Sequence, residues 1–429
     1  MKDLVWYDRL QLVAMMLMAA SMPVDFHCGL WAGVLLAVAS LVKMVAQRRV
    51  GNRSLSRPLV WTLVAIVAYW LLHLVSVAYG GQPEVGLRVV ELKAVLLLFA
   101  LSFLLSDTGY IREHHIRWLF CSLWVSVCAV FVYHLCAALL NLFDGASPAS
   151  VFGMNFDKRH HAYTALYIDV ALGFLLVELS TRWGSLRRWL RVAMVVSAPF
   201  LVLYVLMVNS RAGVLAMWMV ALAGVLYLLL VGFRWKQALL LALLFSAFTL
   251  GAGQLLPGHD NRLASTLENV SEVVASDDGA PDDEADITPD ARLDILKSTV
   301  GLAMERPLTG FGASRYRAAI VQRFEDDGFD YGVKSGFNAH NQYVETMLSV
   351  GVVGLLFLLA FLLVPIWQAW RGRRYLFPVL LLIAVFGFNL LFESMLERQM
   401  GLLFICFFVP VIVLLISTEE NKFGQYPKK

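Results

Sequence analysis

The feature that most constrains this chain is a series of apolar runs, each about 17 to 25 residues long, that recurs through most of its length. A helix of that length crosses the roughly 30 Å hydrocarbon layer of a membrane and satisfies its own backbone hydrogen bonds there. Hydrophobic residues make up 59% of the 429 residues and charged residues only 16%, which excludes an ordinary soluble surface. We therefore predict an all-α, polytopic membrane protein.

Twelve segments qualify as candidate membrane spans. They lie near residues 10–27, 28–46, 59–78, 89–105, 116–141, 162–179, 188–208, 212–231, 236–256, 342–366, 375–391 and 400–416. The first is the weakest, because Pro23, Asp25 and His27 interrupt it and its opening run resembles the core of a signal peptide. The five cysteines lie in or beside these spans without paired ligand spacing, so neither a disulfide framework nor a zinc site is expected.

Basic residues are distributed unevenly between alternate loops. With the N-terminus inside, most of the 35 lysines and arginines fall in cytoplasmic segments, and the short opposite loops hold few. The positive-inside rule then places the long segment 257–341 on the outer face. We predict spans in residues 1–256, an outer loop with amphipathic helices at 257–341, and further spans with a short cytoplasmic tail at 342–429. A formal net charge of +3 is too small to indicate a nucleic-acid partner.

The outer segment divides into an acidic part and a helical part. The stretch from Ser276 to Asp290 is rich in acids and contains two prolines, which predicts a mobile, solvated loop. Beyond it, apolar residues recur at helical spacing: Leu293, Leu296, Val300 and Ala303. This pattern predicts an amphipathic helix from about Pro289 to Met304, capped by Thr288 or Asp290, and a shorter helix follows around Ser314 to Phe324.

His340 is the strongest candidate for a catalytic group. It lies where the outer segment enters the tenth span, and a histidine at that edge can be a merely interfacial residue. However, the positive end of the helix dipole disfavours imidazolium, so a neutral ring can accept a proton from a hydroxyl. Asn338 is predicted to cap this helix. Gly351 and Gly354 lie deeper in the same span, and we predict that they allow close helix packing.

Cations on the outer side are a second signal, because the positive-inside rule makes them scarce there. Arg211 lies in a short turn between two spans, Arg292 begins the amphipathic helix, and Arg88 precedes the fourth span. Four further candidates lead into the sixth span, namely Lys158, Arg159, His160 and His161. A single interfacial arginine is often only snorkelling, but several around one site bind phosphate oxygens in pairs.

Together these residues fit the transfer of a sugar from a polyprenyl diphosphate. The departing diphosphate needs positive charge, which arginines supply, and His340 deprotonates the acceptor hydroxyl. No Asp-x-Asp motif occurs in the predicted outer loops, which disfavours a metal-dependent transferase; no cofactor is expected.

Three short motifs in this order resemble those of the O-antigen ligases and their relatives. His340-Asn341, nine residues and Gly351-Val352-Val353-Gly354 resemble the family signature of a histidine followed by two spaced glycines. Ser210-Arg211-Ala212-Gly213 resembles the family's S-R-x-G turn, and Arg292 with Pro307-Leu308-Thr309-Gly310-Phe311-Gly312 resembles its arginine and P-x-x-G-x-G stretch. The resemblance covers nearly the whole chain.

The resemblance implies a metal-independent membrane glycosyltransferase with about 12 transmembrane helices, one large periplasmic segment and a fold related to other membrane-embedded transferases. It implies transfer of the O-antigen glycan from undecaprenyl diphosphate to the lipid A core in the periplasmic leaflet of the bacterial inner membrane. His340 matches the family's proposed base, and Arg211 and Arg292 match its conserved cations. Arg88, Lys158, Arg159, His160 and His161 are candidates by location only.

Three alternative functions remain open at this point. An O-antigen polymerase uses the same donor but extends another lipid-linked glycan. A protein O-oligosaccharyltransferase is expected to carry a larger soluble C-terminal region than this chain, which stops soon after its last span at Lys429. A flippase or transporter is expected to place ionisable groups at mid-membrane, where these spans are poor in charge.

Overall fold

The computed structural model describes residues 4–47, 56–105, 107–146, 161–232, 234–255, 289–373 and 375–423. Within these ranges the regular elements are helices alone, which confirms the predicted all-α class. In chain order they are α1 Trp6–Ser21, α2 Phe26–Gln47, α3 Arg57–Ser76, α4 Pro83–Leu92, α5 Val95–Leu104, α6 Glu113–Phe143, α7 His161–Thr181, α8 Arg188–Val208, α9 Arg211–Leu230, α10 Trp235–Leu255, α11 Pro289–Glu305, α12 Tyr316–Asp326, α13 Asp330–Ser335, α14 Gln342–Gly372, α15 Leu376–Phe392 and α16 Gln399–Phe423. Short 3₁₀ turns occur at Trp183–Ser185 and Met395–Glu397.

The predicted spans coincide largely with helix in the described residues. Eight helices of the described residues are long and apolar enough to cross a membrane, and three apolar helices are shorter. The first predicted span, 10–27, also takes in the turn of residues 22–25 between α1 and α2. The fourth, 89–105, is divided into α4 and α5 at Lys93 and Ala94. The chain turns there so that the Lys93 ammonium, which is fully buried, reaches a carboxylate distant in the sequence.

Contacts group the chain into two compact units. Unit one comprises Met1–Ser126 with Ile295–Lys429, and unit two comprises Val127–Asp294. The boundary between them falls within α6 and within α11. His340 therefore belongs to unit one, and Arg211 and Arg292 belong to unit two.

Helix α14 is broken at Gly351, which corrects the prediction of simple helix packing at this glycine. Gly351 has φ 72° and ψ −171°, a conformation open to glycine, and a Cβ added there would lie 2.2 Å from the carbonyl oxygen of Leu308. The loop of residues 307–312 fills the break, since Val352 N–H donates to the Pro307 carbonyl at 2.7 Å and Phe311 N–H to that of Leu348 at 2.7 Å. Two of the sequence motifs are thus joined through their backbones.

The break at Gly351 divides α14 into a short first part and a long apolar second part. Residues Val352 to Gly372, at 1.5 Å rise each, extend over about 31 Å, which matches the thickness of a bilayer core. The turns before Gly351 are therefore available to carry a site at the membrane boundary, and His340 lies just ahead of them.

The outer helices follow the sequence prediction closely, with one difference in the buried face. Helix α11 begins at Pro289 as predicted, so Asp290 lies inside its first turn rather than at its cap, and Thr288 lies outside the described residues. Leu296 and Val300 are exposed by 38% and 37%, because the buried face is formed instead by Ile295, Leu302 and Ala303. Helix α12 matches the second predicted helix, and α13 was not predicted. Most of the acidic stretch, up to residue 288, lies outside the described residues.

Candidate active site

His340 occupies a strained turn directly before α14. Its φ of 42° is in the left-handed region, which non-glycine residues seldom adopt and which is common at functional sites. The side chain of Asn338 stabilises the turn by accepting the His340 backbone N–H at 2.9 Å. The helix cap itself is Asn341, whose Oδ1 accepts from Tyr343 N–H at 3.0 Å and Val344 N–H at 3.1 Å, so the prediction that Asn338 is the cap was wrong.

The imidazole of His340 is paired with a carboxylate that the sequence argument missed. His340 Nδ1 lies 3.4 Å from Glu393 Oε2, and the two side chains are 11% and 5% exposed. The ring of Phe337 packs edge-on against the imidazole with centroids 5.7 Å apart. A charged carboxylate only accepts hydrogen bonds, so a neutral imidazole opposite it would hold its proton on Nδ1 and its lone pair on Nε2. Such an arrangement can serve as an oriented general base.

Two side chains from the first turns of α14 hold this pair in place. Glu345, which is fully buried, accepts the backbone N–H of Ala339 at 2.8 Å, and Ser394 Oγ lies 3.4 Å from the same carboxylate oxygen. Gln342 Oε1 accepts the N–H of Leu396 at 2.6 Å. The backbone beside His340 and the turn of residues 393–397, which carries Glu393, are therefore tied to one helix.

The 393–397 turn also carries a buried ion pair. Glu397 Oε1 lies 2.5 Å from Lys93 Nζ, which also donates to the Leu396 carbonyl at 2.9 Å. Its other oxygen, Oε2, accepts from the Tyr316 hydroxyl at 2.9 Å, and Arg317 Nε donates to that hydroxyl at 3.0 Å. Burial raises the pKa of Glu397, but the Lys93 ammonium and its hydrogen bond outweigh this, so the pKa lies below its usual range.

The S-R-x-G turn in unit two has a clear local reason. Asn209 ends α8 in the left-handed conformation, and Ser210 caps α9 by accepting the Gly213 N–H at 3.2 Å. A Cβ at Gly213 would lie 2.3 Å from that of Ala165, so the glycine allows α9 to pack closely against α7. Arg211 is thereby held, half-buried, at the positive end of α9.

The other predicted cationic residues differ in how far they are buried and in whether the structure describes them. Arg292 is half-buried in the first turn of α11, and His161 is half-buried at the start of α7. Arg88 is exposed on α4 and forms no ion pair within the part of the chain that the structure describes. Lys158, Arg159 and His160 lie outside the described residues. No group of three or more histidine, cysteine, aspartate or glutamate side chains with metal-ligand geometry occurs among the residues described.

Comparison with known protein families supplies the deciding observation. Residues 196–359 match the family model described as O-antigen ligase. The chain carries an O-antigen ligase-type segment, and the resemblance predicted from the sequence is confirmed there. No match was found among curated proteins.

The segment that matches the O-antigen ligase model contains Arg211, Arg292 and His340. It also contains the glycines of the motifs at residues 307–312 and 351–354. Glu393, Glu397 and Lys93 lie outside it, so the residues that hold the histidine come partly from elsewhere in the chain. The family is associated with ligase and polymerase activity of the glycosyltransferase type, and the apolar helices indicate a multi-pass membrane protein.

One further buried group departs from the expectation that the spans are poor in charge. Asp169 lies in the middle of α7 with no exposed surface, and neither of its carboxylate oxygens has a hydrogen-bond partner among the residues that the structure describes. An acid inside a predicted span was visible in the sequence and is a functional candidate in its own right.

Proposed function

We propose that this protein is an O-antigen ligase, which transfers the O-antigen glycan from undecaprenyl diphosphate to the lipid A core oligosaccharide. The reaction takes place at the periplasmic face of the bacterial inner membrane and uses neither metal nor cofactor. The observation that carries the proposal is the His340–Glu393 pair, at the start of α14 and beside the family signature. Its position ahead of the apolar length of α14 suits a reaction on lipid-linked substrates at the bilayer surface.

The chemistry follows from the orientation of the imidazole. Nε2 of His340 removes the proton from a hydroxyl of the core sugar as its oxygen attacks the anomeric carbon of the donor. The new glycosidic C–O bond forms while the bond to the diphosphate oxygen breaks, and undecaprenyl diphosphate leaves with the electron pair. The histidine now carries one proton more, and it returns to neutral by releasing that proton to water.

Glu393 contributes by orientation and charge. It holds the Nδ1 proton, so that the lone pair of Nε2 faces the acceptor, and it stabilises the imidazolium that forms. The 3.4 Å separation is at the long end of a hydrogen bond.

Arg211 and Arg292 are proposed to bind the donor diphosphate. A half-buried guanidinium at the N-terminus of α9 combines a bidentate donor with the positive end of a helix, which together favour a phosphate. Arg88, Lys158, Arg159, His160 and His161 are proposed as further glycan or phosphate contacts on their location alone.

A second function is favoured by Asp169. Its carboxyl has no hydrogen-bond partner in the described part of the chain, and a buried acid inside a membrane helix is typical of ion pathways in transporters, so a flippase for lipid-linked sugars is the alternative from another class. The polymerase and the protein glycosylator share the chemistry proposed for His340 and differ only in the acceptor.

Deletion of the gene in its host separates these functions. A ligase deletion leaves lipopolysaccharide as bare core while long lipid-linked glycan accumulates on the outer leaflet. Core bearing a single repeat unit indicates a polymerase instead, and lipid-linked glycan confined to the inner leaflet indicates a flippase. The wild-type gene is expected to restore the long chains, and a His340→Gln gene is not.

A further inference from the structure

Unit one holds a charged side chain, Arg317, that the proposed chemistry does not use. Arg317 lies in the first turn of α12 with its side chain 54% exposed, whereas its partners Tyr316 and Glu397 are buried. Lys93, at the far end of the same chain of contacts, is also fully buried. Arg317 is thus the point at which this buried group of charges reaches the surface.

The Arg317 guanidinium shares this group with two carboxylates and Lys93. Lys93 Nζ lies 2.5 Å from one Glu397 oxygen, while the nearest guanidinium nitrogen of Arg317 lies 3.8 Å from the other oxygen. Glu345, whose charge also acts on Arg317, accepts the N–H of Ala339. Among these four side chains Arg317 is the one that is exposed.

The guanidinium of Arg317 is held on one edge only. Its Nε donates to the Tyr316 hydroxyl at 3.0 Å, and that hydroxyl donates to Glu397 at 2.9 Å. Burial raises the pKa of Tyr316 well above its usual value, so the hydroxyl stays protonated and keeps both contacts. A guanidinium has five N–H donors, and the remaining ones at the exposed edge form the fork that suits phosphate oxygens.

The start of α12 adds to the same positive field. The helix has no acidic residue in its first turn, and its N-cap residue, Arg315, makes no side-chain capping bond. The first N–H groups of a helix and its dipole attract anions, and here an oriented arginine lies among them.

We propose that Arg317 and the first turn of α12 bind a phosphate group of a lipid substrate, at a site linked to the His340–Glu393 pair through the turn of residues 393–397. The inference rests on the proposed function for the identity of that lipid. The 393–397 turn carries both Glu393 and Glu397, whose Cα atoms lie at most about 14 Å apart at 3.6 Å per residue. This turn connects the group that holds Arg317 with the partner of His340.

Direct binding to the purified full-length protein tests this site without any transfer reaction. The probes are undecaprenyl diphosphate, undecaprenol and purified lipid A core. Arg317→Ala is expected to weaken binding of one phosphate-bearing probe by roughly 10–100-fold, the size of a lost charged hydrogen bond, and to leave undecaprenol unchanged. Arg317→Lys keeps the charge but loses the fork of N–H donors, so its affinity for that probe is expected to lie between those of the wild-type protein and Arg317→Ala.

Arg323→Ala is the matched control, because Arg323 lies on the same helix but pairs with Glu305 and Asp327. Weaker binding of undecaprenyl diphosphate identifies the donor as the source of the phosphate, and weaker binding of lipid A core identifies the acceptor. Unchanged binding of both probes, or an equal loss with Arg323→Ala, overturns the proposal. If the wild-type protein transfers no glycan to core while the Arg317 effect persists, the proposed function fails and this binding site stands.

Discussion

Lys43 and Lys93 are both fully buried in unit one, yet they belong to two differently built regions. The Lys43 ammonium lies 2.8 Å from Asp8 Oδ1 and 3.0 Å from Gln11 Oε1, donates to the Asp107 carbonyl, and sits 3.7 Å above the Tyr110 ring. Tyr110 donates to the same Gln11 oxygen at 3.0 Å, so Gln11 joins two of the groups around the ammonium. This region joins α1, α2 and the chain ahead of α6.

The contacts of Lys93 lead outward instead. Glu397 connects it to Tyr316 and then to the exposed guanidinium of Arg317, and the same turn carries Glu393, the partner of His340. Burial alone therefore does not distinguish the two lysines. We propose that the difference lies in their partners, since those of Lys93 continue to an exposed guanidinium and to the turn that carries Glu393.

The largest expected effect is on the transfer rate and comes from His340, whose partner Glu393 lies on the turn that Lys93 contacts. His340→Ala is expected to lower the transfer rate by about 10²–10⁴-fold, the usual contribution of a general base, without loss of fold. The rate is measured with purified protein and both lipid substrates, and folding by thermal unfolding in detergent. His27→Ala is the control, because the His27 side chain is 69% exposed and its contacts are with its sequence neighbours Asp25 and Phe26. A rate unchanged by His340→Ala would show that His340 is not the general base.

The two lysines themselves provide the second test. Removing one partner of a buried ion pair costs about 3–5 kcal/mol, so both Lys93→Met and Lys43→Met are expected to lower the unfolding temperature. Only Lys93→Met is expected to reduce transfer per folded molecule, because only Glu397 is linked to the turn that carries Glu393. Equal activity in the two variants would show that both lysines are purely structural.

The Lys93 region also has a defined dependence on pH. The pKa of Glu397 is lowered in the folded protein, so its stabilising effect is present above the unfolded-state pKa of about 4.3 and is lost as the pH falls through the lower folded value. Lys93→Met removes the main cause of the lowering and is expected to weaken this acid-dependent loss of stability.

The smallest effect is expected from Glu393→Gln. Glutamine still accepts the Nδ1 proton of His340 but lacks the charge, and a charge-assisted hydrogen bond exceeds a neutral one by about 1.4 kcal/mol, which corresponds to about tenfold in rate. Initial rates at saturating substrate measure it. Glu305→Gln, on a 53% exposed side chain, is the matched control and should leave the rate unchanged. A Glu393→Gln rate equal to wild type would mean that the carboxylate only packs against the ring.

Much of the fold was predictable from the sequence, and the reason is local. A membrane span satisfies its hydrogen bonds within itself, so length and apolar content suffice to locate it, as for α7 to α9. The place of His340 just ahead of α14 was also predictable, because a polar residue ahead of an apolar run and the family motif point to the same position; its role as a base stays a prediction.

Partners that are distant in the sequence were not predictable. Glu393 is 53 residues from His340, and Glu397 is 304 residues from Lys93, so neither pairing follows from any local pattern. Gly351 misled in another way, because a glycine in an apolar run indicates helix packing as readily as a break. Two features of the structure show why this position requires glycine: its φ of 72°, and the carbonyl oxygen of Leu308, which leaves no room for a Cβ.

The most direct test of the account is to identify the product made by the purified protein in liposomes with undecaprenyl-diphosphate-linked O-antigen and lipid A core. Mass spectrometry is expected to show the glycan covalently joined to a core sugar, with release of undecaprenyl diphosphate, and no such product with His340→Gln. A longer glycan that remains on undecaprenyl diphosphate, with the core unmodified, would contradict the proposed ligase.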